Sequence, residues 1–137
     1  FNRQANAMIE VYIDGASAGD PGPSGAGIFI KGHGRAEQYS IPLGMMSNHE
    51  AEFHALIEAL KICTKQGYQI VSFRTDSQAV ENAMEKRFAK KPQYRVLLEE
   101  ALNLSDQLDL FFIKWVPSKE NKVADELSRK AIQLNKQ

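Results

Sequence analysis

The sequence has little that would mark a secreted, membrane-bound or strongly charged protein. Its 137 residues include one cysteine, Cys63, which excludes an internal disulfide and suits a reducing compartment. No run approaches a length of about 18 apolar residues, which a membrane-spanning helix needs. Lysine plus arginine and aspartate plus glutamate both number 17, so neither sign of charge is in excess. That balance argues against strong non-specific binding of nucleic acid.

No signal-like segment opens the chain either. From these absences we expect a cytoplasmic monomer with no membrane segment and no disulfide-linked partner. Hydrophobic content of 43% and charged content of 25% are typical of a globular domain. We expect a single domain over residues 1–137, in which residues 1–7 are polar, unpatterned and form a frayed terminus.

The hydrophobic pattern predicts the order β-β-β-α-β-α-α-β-α. The strands are expected at 8–14, 25–31, 35–43, 68–75 and 108–116, and the helices at 47–66, 78–86, 94–104 and 123–134. Short turns make the first three strands antiparallel, whereas helical connections return the fourth and fifth strands parallel to the first. The fold class is therefore α/β, and a right-handed crossover places the fourth strand beside the first.

Two aspartates follow strands that should be neighbours. Asp14 ends the first predicted strand and Asp76 ends the fourth. Both carboxylates should then lie at the same carboxyl edge of the sheet, where open α/β sheets bind their ligands. Taken alone, Asp14 is equally well explained as part of an Asp-Gly turn, and Asp76 or Ser77 could cap the helix that follows.

Two further carboxylates are expected near that edge. Glu52 falls at the head of an apolar helical stripe that runs through Leu56, Ala59, Leu60 and Cys63, and Asp125 lies in the first turn of the last helix. The helix that carries Glu52 is expected to start with a capping box of Ser47 and Glu50 and to end at Gly67. Four carboxylates that converge without basic partners repel one another, which hard cations relieve. Oxygen ligands favour Mg²⁺ or Mn²⁺, and two such ions can activate a water and stabilise the leaving oxygen of a phosphodiester.

The segments around these residues resemble the type 1 ribonucleases H. The resemblance covers residues 8 to about 132 and rests on Asp14-Gly15-Ala16-Ser17, Gly19-Asp20-Pro21-Gly22-Pro23, Ser47-Asn48-His49-Glu50-Ala51-Glu52, Thr75-Asp76-Ser77-Gln78 and Asn121-Lys122-Val123-Ala124-Asp125-Glu126-Leu127-Ser128. One such motif alone is weak, but together they keep the family's order and spacing.

The resemblance implies a ribonuclease H-like fold, a five-stranded mixed sheet in the order 3-2-1-4-5 with helices on both faces. It implies endonucleolytic cleavage of the RNA strand of RNA–DNA hybrids with two Mg²⁺ (or Mn²⁺) ions. It assigns catalysis and metal binding to Asp14, Glu52, Asp76 and Asp125. It also implies that Gly15, Ala16, Ser17, Asn48, His49 and Gln78 meet the hybrid in its minor groove, where the 2′-OH distinguishes RNA from DNA.

The chain departs from the family pattern in three places. The loop 117–121 has no histidine where many bacterial members carry one, and His49 stands where the family usually has asparagine. The long basic insertion of some members is missing, which leaves a cluster of Lys86, Arg87, Lys90 and Lys91. In these respects the chain resembles the compact branch often labelled reverse-transcriptase-like.

Several alternatives remain open on the sequence. The basic cluster could contact nucleic acid or could be a solvated helix end. Trp115 ends an apolar strand, so core packing is preferred over base stacking. The whole chain could be a hybrid-binding module that keeps the fold with weak or no catalysis, or a nuclease of the wider superfamily that acts on other nucleic-acid structures.

Overall fold

The computed structural model describes residues 7–135. The frayed terminus expected at 1–7 lies outside these residues except for Ala7, which is exposed. The strands are β1 (Ile9–Ser17), β2 (Gly22–Gly32), β3 (Arg35–Met46), β4 (Ile70–Thr75) and β5 (Leu110–Trp115), and the helices are α1 (Asn48–Gln66), α2 (Gln78–Lys86), α3 (Pro92–Ser105) and α4 (Lys122–Leu134). No helix within residues 7–135 is long and apolar enough to cross a membrane.

The strands form one sheet in the order β3-β2-β1-β4-β5. β2 runs antiparallel to both β1 and β3, whereas β4 is parallel to β1 and β5 is parallel to β4. The predicted fold class, sheet order and strand directions are therefore confirmed. The short connections at β1–β2–β3 and the helical crossovers to β4 and β5 account for this topology.

Alternate residues of β1 face different layers of the fold. Val11 and Ile13 are fully buried, and a Cβ atom placed on Gly15 would lie 2.1 Å from the Ala51 carbonyl oxygen of α1. The odd-numbered residues therefore pack against α1, and only glycine at position 15 lets the helix backbone approach this closely. The even-numbered residues, including Asp14, lie on the opposite face of the sheet, on which α4 packs.

α4 lies on the opposite face of the sheet from α1. A Cβ atom on Gly27 would lie 2.0 Å from the Ala124 carbonyl oxygen, so α4 also packs directly on strand backbone. α4 contacts β1, β2 and β3, whereas α1, α2 and α3 form the layer on the other face. Both α1 and α4 are therefore held against the sheet by close contact with a glycine, Gly15 and Gly27 respectively.

The sequence signals for α1 are confirmed. Ser47 and Glu50 form a capping box at its start, and Gly67 ends it in the left-handed conformation. The predicted apolar stripe of Leu56, Ala59, Leu60 and Cys63 is fully buried. Cys63 is thus a core residue, as its position in the stripe indicated.

Two sequence expectations are wrong. β1 does not end at Asp14 but continues to Ser17, because residues 15–17 pair with Ser24, Gly25 and Ala26 of β2. The preference for core packing of Trp115 is also wrong, because Trp115 is 44% exposed at the end of β5, the edge strand. Only one face of β5 is covered, so an apolar run alone does not predict burial on both faces.

Candidate active site

Asp14 occupies the centre of the site, on the face of β1 that α4 covers. Its Oδ2 atom lies 2.8 Å from the hydroxyl of Ser128. Ser128 lies in α4, one helical turn after Asp125. Burial raises the pKa of Asp14 to about 8, the Ser128 hydroxyl opposes that rise, and the charges of Asp76 and Asp125 add to it. The fold therefore leaves the ionised form of Asp14 poorly compensated.

Asp76 lies directly after β4, the parallel neighbour of β1. The Ser77 side chain, not that of Asp76, caps α2 by accepting a hydrogen bond from the Val80 amide at 3.2 Å. The Trp115 indole Nε1 donates to the Asp76 carbonyl oxygen at 3.1 Å. The backbone at Asp76 is therefore held from both sides, and its carboxylate is not used as the helix cap.

Glu52 enters the site from the first turns of α1. Its side chain is 15% exposed, and its Oε1 atom lies 2.9 Å from His49 Nδ1. Burial raises the pKa of Glu52, the nearby His49 opposes that rise, and the charge of Asp76 adds to it. The charge of Asp76 thus raises the pKa of both Glu52 and Asp14.

Asp125 lies in the first turn of α4 and pairs with Arg129 at 2.5 Å. Asn121, which is 1% exposed, donates from Nδ2 to the Ile13 carbonyl oxygen at 2.8 Å. This bond ties the start of α4 to β1 one residue before Asp14. The position of Asp125 relative to Asp14 is therefore set by a buried hydrogen bond and by the contact at Gly27.

The expectation that the four carboxylates have no basic partners is wrong. His49 pairs with Glu52 and Arg129 pairs with Asp125, at spacings of three and four residues along their helices. Within residues 7–135 no group of three or more His, Cys, Asp or Glu side chains is arranged to hold a metal ion. The donor atoms still suit a hard cation, because they are carboxylate oxygens. Burial and the charges of Asp76 and Asp125 disfavour the ionised form of Asp14, and a cation would compensate that charge.

The residues predicted to meet the hybrid fall into adjacent groups. Ser17 at the end of β1 donates from its amide to Asn48 Oδ1 at 3.3 Å, which joins the Gly15-Ala16-Ser17 segment to the start of α1. The Ser17 hydroxyl also donates to the Met46 carbonyl oxygen at 2.8 Å. His49 and Gln78 are exposed at the first residues of α1 and α2.

The four residues of the predicted basic cluster lie in two different environments. Lys86, Lys90 and Lys91 line a cavity of about 370 Å³ between α1, α2 and α3. Arg87 instead points to Asp106 and forms a bidentate pair with it, at 2.8 and 3.3 Å. The cavity therefore has three of the four predicted cations on its wall.

The wall of this cavity also carries aromatic side chains that sequence reasoning missed. Tyr94 stacks on Phe53 with ring centroids 5.5 Å apart, and its ring meets His49 edge-on at 6.1 Å. Phe88 is 57% exposed. Because His49 both lines the cavity and contacts Glu52, the cavity adjoins the carboxylates.

Three other residues of the site were not singled out from the sequence for the contacts they make. These are Asn121, Ser128 and Trp115, which position Asp125, Asp14 and Asp76 as described above. Ser128 could have been found, because it follows Asp125 by three residues and so lies on the same helical face. The contact of Trp115 depends on two strands that are distant in sequence and had no local signal.

The sheet order and the aspartates on adjacent strands define the ribonuclease H class of fold. The chain belongs to the reverse transcriptase-like family of this class, because residues 13–131 match the family model with that description. The resemblance to the type 1 ribonucleases H is thereby confirmed.

Individual relatives agree with that assignment. The Enterococcus faecalis protein named "Putative hydrolase EbsB" is 42% identical over 128 residues, which are 92% of this chain and 95% of that protein. RNase H1 from Halobacterium salinarum superposes with a TM-score of 0.87 at 30% identity, over 93% of this chain and 98% of the other. LC11-RNase H1, solved in complex with an RNA/DNA hybrid, gives a TM-score of 0.86 at 27% identity, over 94% and 99% of the two chains.

Proposed function

We propose that this chain is an endoribonuclease that hydrolyses the RNA strand of RNA–DNA hybrids. The observation that carries the proposal is the placement of Asp14 within β1 and of Asp76 directly after the parallel neighbour β4, with Glu52 and Asp125 in the first turns of helices on either side. Relatives that share the fold over nearly the whole chain are named ribonuclease H, and one of them binds an RNA/DNA hybrid.

Asp14, Glu52, Asp76 and Asp125 would hold two Mg²⁺ or Mn²⁺ ions, which when bound supply water activation and stabilisation of the leaving oxygen. The remaining residues of the chain position these carboxylates. Ser128 holds Asp14, and Trp115 fixes the backbone that carries Asp76. His49 contacts Glu52 and opposes the rise of its pKa, and Arg129 pairs with Asp125.

Substrate binding is proposed for two neighbouring surfaces. Ser17, three residues after Asp14 on β1, and Asn48 at the start of α1 would present backbone and amide groups to a minor groove that displays 2′-OH groups. Lys86, Lys90 and Lys91 would contact phosphates of the strand that passes over the cavity, with Phe88 and Tyr94 beside them.

The test is cleavage of a hybrid labelled on either strand, with RNA–RNA and DNA–DNA duplexes of the same sequence in parallel. The expected result with Mg²⁺ or Mn²⁺ is internal cleavage of the RNA strand of the hybrid, and no cleavage by Asp76→Asn. Equal cleavage of the RNA–RNA duplex, or cleavage that persists in Asp76→Asn, would overturn the proposal.

A hybrid-binding module without catalysis is the second candidate. The observation that favours it is that Glu52 and Asp125 already have basic partners at 2.9 and 2.5 Å. Tight binding of the hybrid with no cleavage by folded wild-type protein, with either metal, would support this candidate over the enzyme.

A further inference from the structure

One half of the sheet face that carries Asp14 extends beyond α4. On this face the register aligns two rows of side chains across four strands. The first row is Phe29, Tyr12, Arg74 and Lys114, and the second is Lys31, Glu10, Ser72 and Phe112. We call these eight residues the open face.

The open face combines exposed aromatic surface with positive charge. Phe112 is 47% exposed, and Lys31 and Lys114 are exposed at the two ends of the rows. Next to the rows, Lys119 and Lys122 line a cavity of about 240 Å³ together with Tyr12 and Phe29. The charged residues of the rows and of this cavity wall are five cations and two carboxylates, although the whole chain is neutral.

The centre of the open face is held in place by its own contacts. Arg74 donates to Glu10 at 2.5 Å, and its guanidinium carbon lies 5.5 Å from the centre of the Tyr12 ring. The rings of Tyr12 and Phe29 are 6.0 Å apart. The Nε atom of Arg74 is buried without a hydrogen-bond partner among residues 7–135. The centre of the face is therefore pre-arranged.

We propose that the open face binds single-stranded nucleic acid. Aromatic rings and cations that lie side by side on a sheet are the combination that single strands need, because bases stack on the rings while phosphates contact the lysines. A protein partner would more often meet a face with fewer charges, because charged residues are depleted at the centre of protein interfaces.

The open face is continuous with the candidate active site. Tyr12 precedes Asp14 by two residues on the same face of β1, a distance of roughly 7 Å along the strand. A single-stranded end that leaves the carboxylates can therefore run onto Tyr12 and across to Phe112. This binding does not require cleavage, so it does not depend on the proposed function.

The test is fluorescence anisotropy of a labelled oligouridylate in EDTA at low salt, with the full chain. Phe112→Ala and Lys114→Glu are expected to weaken binding at least about fivefold each, since the first removes a stacking ring and the second replaces a phosphate contact by a repulsion. Lys65→Glu, which makes the same charge change at the far end of α1, is the matched control and should change the affinity less than twofold. Circular dichroism confirms that each variant is folded.

A second measurement locates the contact. Photo-crosslinking with 4-thiouridine in the oligonucleotide is expected to label peptides that contain Tyr12 or Phe112.

Wild-type affinity in both open-face variants, or crosslinks only to residues 86–94, would overturn the inference. Self-association of the chain that Phe112→Ala abolishes, without binding of the oligonucleotide, would identify a surface for a second copy instead. If oligonucleotide binding is found while hybrid cleavage is not, the proposed function fails and this inference stands.

Discussion

The hydroxyl of Ser128 lies 2.8 Å from Asp14 Oδ2 and 2.8 Å from the backbone carbonyl oxygen of Asp125. A hydroxyl has one proton, so it can donate to only one of these acceptors at a time. When Asp14 is ionised, Ser128 can donate to it. When Asp14 is protonated, the carboxyl can donate to Ser128 while Ser128 donates to Asp125. The serine thus links the protonation of Asp14 to the first turn of α4.

We expect Ser128→Ala to raise the pKa of Asp14 in the metal-free protein, because the ionised form loses a donor. A hydrogen bond to a charged group contributes about 1.5 kcal/mol or more, so the rise should be about one pKa unit. NMR titration of the Asp14 carboxyl carbon measures it. The control is Ser105→Ala, since the Ser105 hydroxyl donates to the Leu102 carbonyl oxygen within α3. An unchanged titration in Ser128→Ala would show that the serine serves only Asp125.

The stability of the metal-free protein should fall as the pH rises from about 4 to about 8. In this range the folded state keeps the proton on Asp14, whose pKa is about 8, whereas the unfolded state has lost it near the ordinary value of 3.8. The free energy of unfolding therefore decreases with pH.

Asp14→Asn should remove this dependence and stabilise the metal-free protein at pH 8. The gain should be at least about 1.4 kcal/mol, the equivalent of one pKa unit. Urea unfolding at pH 5 and pH 8 measures it, and Asp109→Asn at an exposed position is the control. Mg²⁺ at pH 8 should raise the Tm of the wild type and not that of Asp14→Asn. A wild-type stability that increases between pH 5 and pH 8 contradicts the assignment.

The lysines of the cavity should set the salt dependence of hybrid binding. Lys90→Ala with Lys91→Ala should raise KM and reduce the slope of log affinity against log salt by roughly one to two units, because fewer counterions are released. The single-turnover rate at saturation should change little. Arg87→Ala is the matched control, since Asp106 already neutralises Arg87 and its loss should leave the slope nearly unchanged. Equal slopes in all three proteins would mean that the lysines are only solvated.

The contact between Gly27 and α4 should be essential for stability. A Cβ atom there would lie 2.0 Å from the Ala124 carbonyl oxygen and 2.4 Å from the Ser128 amide, so Gly27→Ala must displace the helix. We expect a loss of several kcal/mol, as for other severe steric overlaps in a core. Gly34→Ala, at a turn with a φ of 72° and nothing within 4 Å, should cost about 1 kcal/mol from backbone strain alone. Urea unfolding of the two variants compares them directly.

Local patterns were sufficient where the determining contacts are local. The capping box and apolar stripe of α1 were predicted correctly because they depend on residues three and four apart. The end of β1 was not, because the Gly- and Pro-rich residues after Asp14 look like a loop and only their pairing with β2 extends the strand. The exposure of Trp115 was missed for a different reason: the apolar run indicated a buried strand, although the expected sheet order already placed that strand at an edge.

The residues of the candidate site likewise divide into those that the sequence pattern places and those whose contacts join distant parts of the chain. The chain order and crossover rule were enough to bring Asp14 and Asp76 to neighbouring strands. The His49–Glu52 and Asp125–Arg129 pairs were visible at helical spacing and were overlooked. The bond from Asn121 to Ile13 joins residues 108 positions apart in the chain, and no periodicity predicts it.

The loop before α4 is anchored at both of its ends. Val116 donates from its amide to the Thr75 carbonyl oxygen at 2.8 Å, and Asn121 is bonded to Ile13. Residues 117–120 between these anchors are mostly exposed, and their 3₁₀ turn is closed by the Asn121 amide, which donates to the Ser118 carbonyl oxygen at 2.9 Å. This short span is thus held at both ends and by its own turn, so that the helix carrying Asp125 starts at a fixed place relative to β1 and β4.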